Sequence, residues 1–235
     1  MPSIFVLIAM ACTPAGDGPR PVISGPGFFD RPFPSDTRLV DGHPDLRDFP
    51  LQEEITLLQR YTAQAPALSG FGLASPLWVQ FDGPLDVSRL PTPAQSVGPD
   101  ASLFVVDVDP RSPERGQRVP VTWTVAAEET DWHPANLLAI QPVWGMPLRP
   151  GTKYALVLTT AMSRAARGWT ALTDPDDPEH GYLQDLEETL FQLHVPLDDV
   201  THASLFTTQT PGVEMAQIVH RMRTGLAAAP LDTEV

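Results

Sequence analysis

Two groups of aspartates are the side chains whose type and spacing best suit a chemical role. Asp107 and Asp109 end an apolar segment, and Asp174, Asp176 and Asp177 lie together in a polar loop. Carboxylate oxygens are the ligands that Ca²⁺ prefers, so both groups are candidate calcium sites. Neither has the spacing of an EF-hand loop. We favour the simpler interpretation that these aspartates end strands and form Asx-turns.

The motifs of common hydrolases are missing from the sequence. There is no Gly-x-Ser-x-Gly, which places a nucleophilic serine on a strand-to-helix turn, and no His-Glu-x-x-His, which binds zinc. Of the six histidines, only His194 and His202 come near metal-ligand spacing. We therefore expect this chain alone not to be an enzyme and to need no cofactor, with calcium as the alternative. The members of a catalytic triad can nevertheless lie far apart in a sequence.

Three tryptophans are candidates for ligand binding. Trp132, Trp144 and Trp169 are expected in loops beside strand ends. Aromatic side chains at such positions can form a platform for a carbohydrate or for a partner protein. For each tryptophan singly, covering an end of the hydrophobic core is the more common role.

The lone cysteine, Cys12, follows directly on an apolar run at residues 4–11. The run is too short to span a bilayer and has the length of the hydrophobic region of a signal peptide. Ala9-Met10-Ala11-Cys12 resembles the lipobox of bacterial lipoproteins, in which the cysteine is lipid-modified. We therefore expect residues 1–11 to be a signal peptide and Cys12 to carry a lipid anchor. A buried first strand with a core cysteine is the alternative.

Composition limits the partners of the chain. Its formal net charge is -14 over 235 residues, and no basic stripe is present to neutralise phosphates, which excludes nucleic-acid binding. Anionic membrane surfaces would repel the acidic body, so membrane attachment is expected only through the lipid on Cys12. The 27 prolines interrupt long helical patterns.

Short apolar runs separated by turn signals predict a mainly-β fold. The predicted strands cover residues 77–81, 103–108, 119–125, 137–143, 154–159 and 203–208, and the predicted helices cover residues 51–63, 182–193 and 211–226. Pro120 lies inside the third strand, which favours an edge position or a bulge. Aromatics among prolines in residues 20–50 predict an extended segment pinned onto the core by its rings. The arrangement indicates an Ig-like antiparallel β-sandwich with two or three peripheral helices.

Pro150 and Gly151 predict a type II turn, because proline presets the second turn position and glycine accepts a positive φ at the third. Tyr154 leads the following strand. We expect its ring in the core and its hydroxyl bonded to the backbone of residues 148–151, as in a tyrosine corner. All three residues are therefore assigned structural roles.

Four segments in order resemble the N-terminal module of bacterial secreted lipases and related lipoproteins. They are Pro32-Phe33-Pro34-Ser35-Asp36, residues 70–86, residues 148–159 and Phe206-Thr207-Thr208-Gln209-Thr210. The third segment also resembles bacterial Ig-like repeats. In such lipases the module precedes an α/β-hydrolase domain that carries the nucleophile. The resemblance therefore implies no catalytic residue in this chain.

These features predict a signal peptide at residues 1–11, a lipidated tether at 12–27, an Ig-like module at 28–210, and a C-terminal helix and tail at 211–235. We expect an outer-membrane lipoprotein of a Gram-negative cell envelope with a non-catalytic role. That role would be adhesion, binding of an unknown protein or carbohydrate, or presentation of a hydrolase domain. The alternatives are a piece of a secreted lipase or esterase whose hydrolase domain follows residue 235, and a calcium-stabilised surface module.

Overall fold

The computed structural model describes residues 18–223, except for the side chains of residues 213–215. Cys12, the predicted signal peptide at residues 1–11 and the end of the predicted tail lie outside the described residues. Within them, the chain consists mostly of strands in antiparallel sheets, with three short α-helices. This confirms the predicted mainly-β class.

Every segment predicted as a strand contains a strand in the described part of the chain, and residues 119–125 contain parts of two. The strands are β1 Leu39–Val40, β2 His43–Pro44, β3 Leu77–Gln80, β4 Leu103–Asp107, β5 Arg118–Val119, β6 Val121–Ala126, β7 Leu137–Pro142, β8 Lys153–Thr159 and β9 Val200–Thr207. The α-helices are α1 Thr56–Thr62, α2 Gln184–Gln192 and α3 Val213–Arg223.

The strands from β3 to β9 form two open antiparallel sheets. The three-stranded sheet has the order β3-β7-β6, and the four-stranded sheet has the order β5-β4-β8-β9. β8 is central in the larger sheet, where Leu156 lies opposite Val105 of β4 and Ser204 of β9. β1 and β2 form a small separate hairpin.

Pro120 marks the point where the chain passes from one sheet to the other. β5 ends at Val119 on the edge of the four-stranded sheet, and β6 begins at Val121 on the edge of the three-stranded sheet. Proline has no N–H to donate to a ladder, so it suits this break. The single strand predicted at residues 119–125 is therefore two strands, each at an edge.

One hydrophobic cluster joins the facing sides of the two sheets. Val79 of β3 and Ile140 of β7 belong to the same cluster as Leu156 of β8 and Phe206 of β9. All four side chains are almost fully buried. Full burial of a side chain of this size contributes roughly 1.5–3 kcal/mol, so this cluster holds the two sheets together.

The four-stranded sheet is buried on its other face as well. There Phe104, Val157 and Leu205 form a second cluster with Leu186 and Leu190 of α2. A strand covered on both faces needs apolar residues at consecutive positions. This explains why β4 and β8 are apolar almost without alternation.

α1 begins later than the sequence predicts. Leu51 has a φ of +57°, which is incompatible with a helix, and the helix begins only at Thr56. None of the residues of α1 is buried, in contrast to α2. No helix between residues 18 and 223 is long and apolar enough to cross a membrane.

The segment before β1 lies along β3. The Val22 N–H donates to the Gln80 carbonyl (2.8 Å), and Phe33 forms a bridge with Trp78. The chain is thus hydrogen-bonded to the sheet from Val22 on, within residues 12–27, which the sequence assigns to a lipidated tether. The rings of the segment are buried, as the aromatic pattern predicts.

Tyr154 lies at the start of β8 with its ring in the core. Gly151 in the preceding turn has the positive φ expected of it, +59°. The Arg149 N–H donates to the Tyr154 hydroxyl (3.0 Å), and the Tyr154 ring lies 6.1 Å from that of Phe206. The hydroxyl thus fixes the turn that leads into the central strand.

Replacing Tyr154 with Phe should lower the free energy of unfolding by about 1 kcal/mol, the net contribution of one hydrogen bond. Urea unfolding followed by circular dichroism measures this. Tyr61→Phe is the matched control, because the Tyr61 side chain is 66% exposed and its hydroxyl should be dispensable. Equal stability of Tyr154→Phe and the wild type would show that the bond does not contribute.

Candidate functional site

Asp107 and Asp109, predicted as calcium ligands, are engaged in a turn after β4. The Asp107 carboxylate accepts hydrogen bonds from the Asp109 N–H (3.0 Å) and from the Ser112 hydroxyl. The Asp109 carboxylate accepts from the backbone N–H (2.9 Å) and the side chain (3.2 Å) of Arg111. Burial raises the pKa of Asp107. Burial by itself would raise the pKa of Asp109. The hydrogen bonds from Arg111 outweigh this effect, and the pKa of Asp109 is below its ordinary value.

The second aspartate group also forms turns, in the loop before α2. The Asp174 carboxylate accepts from the Asp176 N–H (3.0 Å), and the Asp177 carboxylate accepts from the Thr170 hydroxyl (2.9 Å) and the Glu179 N–H (2.9 Å). Within residues 18–223, no three carboxylate, imidazole or thiol side chains form a group that could hold a metal ion. Calcium binding stays a prediction.

The three candidate tryptophans do not form a common platform. Trp132 precedes β7 and Trp144 follows it, so these two residues lie at opposite ends of one strand; their side chains are 48% and 93% exposed. Trp169 lies in a loop, and its side chain is only partly exposed. It packs against the second hydrophobic cluster, and its ring contacts His202 at 5.1 Å.

The end of β9 is where the irregular N-terminal part of the chain is attached to the sheet. The Asp36 carboxylate accepts hydrogen bonds from the Thr207 N–H and the Thr207 hydroxyl, both at 2.7 Å. Burial raises the pKa of Asp36, although the bonds from Thr207 favour its charged form. One carboxylate thus satisfies two donors of an edge strand that would otherwise lack partners.

A second segment pairs with the same residues. The Phe71 N–H donates to the Thr207 carbonyl (2.9 Å), and the Gln209 N–H donates to the Phe71 carbonyl (2.7 Å). A Cβ on Gly70 would lie 2.7 Å from the Thr207 carbonyl oxygen. Position 70 therefore requires glycine for the two backbones to approach this closely.

The turn before β8 completes this junction. The Thr208 hydroxyl donates to the Arg149 carbonyl (2.6 Å) and accepts from the Thr152 N–H (2.9 Å), and the Gly151 N–H donates to the Gln209 carbonyl (3.2 Å). Residues from the segments at 32–36, 70–86, 148–159 and 206–210 therefore meet at one place in space. We call Asp36, Gly70, Phe71 and residues 207–209 the β9 junction.

Next to the junction lies a concave site with mostly apolar walls, which we call the aromatic cleft. Its volume is about 360 Å³. The cleft is lined chiefly by Phe28, Phe33, Phe49, Leu58, Tyr61, Phe71, Trp78 and Gln209. Phe71 and Gln209 belong to both features, so the junction positions one wall of the cleft.

The rings of the cleft pack directly on one another: Phe33 meets Phe71 edge to face, is tilted against Phe28 and is stacked on Trp78. Phe33 lies 5.3 Å from Phe71, 5.1 Å from Phe28 and 5.6 Å from Trp78, measured between ring centroids. Aromatic pairs at these separations gain about 0.5–1.5 kcal/mol beyond their burial. This wall of the cleft is therefore preformed.

The opposite wall is α1, which contributes Leu58 and Tyr61. Tyr61 is 66% exposed and its neighbour on the same helix, Leu57, is 58% exposed. An exposed apolar surface beside an apolar cavity is typical of a binding site rather than of a closed core.

A buried arginine lies behind the rings. The Arg38 guanidinium carbon is 4.2 Å from the ring centroid of Phe28 and 5.0 Å from that of Phe33, and its Nη1 donates to the Phe28 carbonyl (2.8 Å). Burial lowers the pKa of Arg38 to about 10. A positive charge already in contact with these rings disfavours a cationic ligand on them, so the cleft suits neutral apolar groups.

None of the cleft residues is among the site residues predicted from the sequence. The partial signal is the density of aromatics between residues 28 and 49, which predicts attachment to the core but not a cavity. The cavity forms because five separate segments of the chain meet there, and their approach cannot be predicted from local periodicity.

No protein-family model, no curated protein and no solved structure matches the chain.

His202 and Trp169 carry buried polar atoms outside the cleft. His202 is 6% exposed, and neither of its ring nitrogens has a hydrogen-bond partner; the same holds for the indole nitrogen of Trp169. Burial lowers the pKa of His202 to about 4 from its ordinary 6.5. The imidazole is therefore neutral in the folded chain at neutral pH.

This burial predicts a loss of stability in acid. Well above pH 6.5 the His202 imidazole is neutral in both the folded and the unfolded chain. As the pH falls from 6.5 towards 4, His202 becomes protonated in the unfolded chain but stays neutral in the folded chain. At about 1.4 kcal/mol per pH unit, His202 should cost up to about 3 kcal/mol by pH 4. The free energy of unfolding of His202→Phe, measured from pH 6.5 to pH 4, should therefore fall less steeply than that of the wild type, because the contribution of His202 is absent.

Carboxylates titrate in the same pH range. The quantity to compare is therefore the difference in unfolding free energy between wild type and variant at each pH. His194→Asn is the control, because His194 is exposed and has a φ of +56°, which asparagine tolerates. If His202→Phe and His194→Asn keep the same acid dependence as the wild type, the buried imidazole has no such role.

Proposed function

We propose that this chain is a non-catalytic lipoprotein of the cell envelope that binds a partner through the aromatic cleft. The observation that carries the proposal is the cleft itself, an open and mostly apolar cavity with one preformed aromatic wall. Sites of this kind, with a few polar groups at the margin, are typical of ligand and partner binding. Aromatic side chains also supply much of the energy of protein interfaces.

We also propose that the two sheets form an Ig-like sandwich. The hydrophobic cluster shared by their facing sides supports this, as does the antiparallel pairing within each sheet. In such a scaffold the core is rigid and the connecting segments carry the function. The cleft is built largely from connecting segments laid over one edge of the sheets.

The envelope location rests on the sequence at the N-terminus. An apolar run followed by the lipobox-like Ala9-Met10-Ala11-Cys12 and a stretch rich in glycine and proline supports export and lipid attachment. A net charge of -14 would keep the body away from an anionic membrane surface. The cleft would then stay free for a partner.

The anchor is tested by the intact mass of the chain purified from membranes of a Gram-negative host. We expect a chain that starts at a diacylated Cys12, and a Cys12→Ser variant that is released from the membrane. A mature chain that still carries Met1, or that is cut elsewhere, would contradict the lipoprotein assignment.

The cleft is tested with Nile red, a neutral apolar dye, at a protein concentration of about 1 µM. We expect binding that Tyr61→Asp weakens by about tenfold or more, since a carboxylate would then border the apolar cavity. Phe191→Asp is the matched control, because Phe191 is 83% exposed on α2 and does not line the cleft. Equal binding by wild type and Tyr61→Asp would remove the cleft as the binding site.

The non-catalytic assignment has its own test, an assay of the same preparations with chromogenic esters. We expect no turnover by the chain. Turnover abolished by serine-directed inhibitors would show that the chain is a hydrolase.

A further inference from the structure

A second cavity, which we call the polar pocket, lies beside the aromatic cleft. Its volume is about 530 Å³, and small-molecule sites have volumes of roughly 300–1,000 Å³. Pro44, Leu46 and Thr62 line both cavities, so the two are direct neighbours. The other residues that line the polar pocket include Asp41, His43, Asp45, Arg47, Gln59 and Ala63.

The α1 region presents one side to each cavity. Leu58 and Tyr61 line the aromatic cleft, whereas Gln59 and Ala63 line the polar pocket. Residues three or four apart lie on the same side of a helix. The side that faces the cleft is therefore apolar, and the side that faces the pocket carries the Gln59 amide.

The packing of α1 is incomplete in the structure described above. The helix has seven residues, and none of them is buried. Isolated helices shorter than about 12–15 residues are marginal in water, and tertiary packing supplies most of the stability of a helix in a protein. Because α1 lines both cavities, a ligand that fills them would supply this packing.

The polar pocket offers hydrogen-bond acceptors. His43 Nδ1 lies 2.8 Å from the Leu68 carbonyl, which can only accept, so Nδ1 donates and the lone pair of the neutral ring is on Nε2. The Gln59 amide nitrogen donates to the Glu53 carbonyl (2.8 Å), which leaves the Gln59 side-chain oxygen as an acceptor. The Asp41 carboxylate adds two more acceptor atoms. A ligand in the pocket must therefore bring donors.

The charges around the two cavities favour an uncharged ligand. Two hydrogen bonds of 2.8 and 2.6 Å join Arg47 to Asp45, so the charge of Arg47 is already matched and the Asp41 carboxylate leaves the pocket negative. An anionic head would be repelled there. The Arg38 guanidinium against the rings of the cleft disfavours a cation. Hydroxyl groups bring donors without charge.

We propose that the aromatic cleft and the polar pocket together bind one neutral amphiphile, with its alkyl chain in the cleft and a hydroxyl-rich head, such as a sugar, in the pocket. This inference rests on the proposed role of the cleft as a binding site, and it names the class of ligand. Thr62, which lines both cavities, lies where the chain and the head meet.

The experiment is isothermal titration calorimetry of the full chain carrying Cys12→Ser, so that no lipid on the protein itself competes for the cleft. The probes are octyl glucoside, octyl phosphocholine and octylammonium, which share one alkyl chain, each used below the concentration at which it forms micelles. We expect octyl glucoside to bind at least about tenfold more tightly than the other two, because only its head brings uncharged donors. It should also displace Nile red from the cleft.

Variants of the polar pocket show where the head binds. Ala63 lines the pocket and not the cleft, so Ala63→Trp fills the space for the head and should abolish the preference for octyl glucoside. His43→Phe keeps a ring but removes the Nε2 acceptor, and should reduce the preference severalfold. Ala67→Trp is the matched control, because Ala67 is exposed and lines neither cavity. This control should keep the wild-type preference.

The measured preference is the ratio of the dissociation constants of two probes for the same variant, and circular dichroism establishes that each variant is folded. Equal binding of the three probes overturns the proposal, and so does tighter binding of octylammonium or a preference that survives in Ala63→Trp or in His43→Phe. If Nile red binds in a manner sensitive to Tyr61→Asp but octyl glucoside does not bind, only the proposed class of ligand fails. If the dye does not bind the cleft either, the proposed function fails with it.

Discussion

The hydrogen bonds that cover the outer edge of β9 are the constraint on which the rest of the structure depends. β9 is the last strand of its sheet, and an edge strand leaves backbone groups without partners. Here the Thr201 carbonyl accepts from the Ala166 N–H (3.0 Å), the Leu205 carbonyl accepts from the Tyr182 hydroxyl, and Thr207 is bonded by Asp36. Segments from both halves of the chain are thus recruited to one edge, which protects it from pairing with another molecule.

The cleft is a consequence of this arrangement. Asp36 fixes the segment that carries Phe33, and the backbone pairing of Phe71 requires glycine at position 70. These two attachments bring the rings of Phe33 and Phe71 into contact at 5.3 Å. The walls of the cleft that come from the N-terminal segment and from residues 70–78 are therefore as firmly held as the sheet edge itself.

The strands of the two larger sheets were predictable because they have local apolar patterns bounded by turns, although the break between β5 and β6 and the short hairpin of β1 and β2 were not. The special roles of Pro120 and Gly151 were predictable because their backbone chemistry allows few alternatives. The start of α1 was not predictable from the sequence. Leu51 has a left-handed backbone conformation, which results from the turn at residues 49–55 and not from a preference of leucine. The cleft was not predictable either. Its rings come from positions as far apart as Phe28 and Trp78. The pairing of the N-terminal segment with β3 and the coverage of β9 bring these segments together.

The two sides of the cleft differ in how firmly they are held. The aromatic side is bonded to the β9 junction, whereas α1 has no buried residue and follows a stretch with irregular backbone. Elements with few buried apolar contacts open at low free energy compared with the core. α1 can therefore adjust to an occupant while the opposite wall keeps its shape. In the proposed function, a cavity with one fixed and one adaptable wall would accept apolar groups of different sizes at little cost in stability.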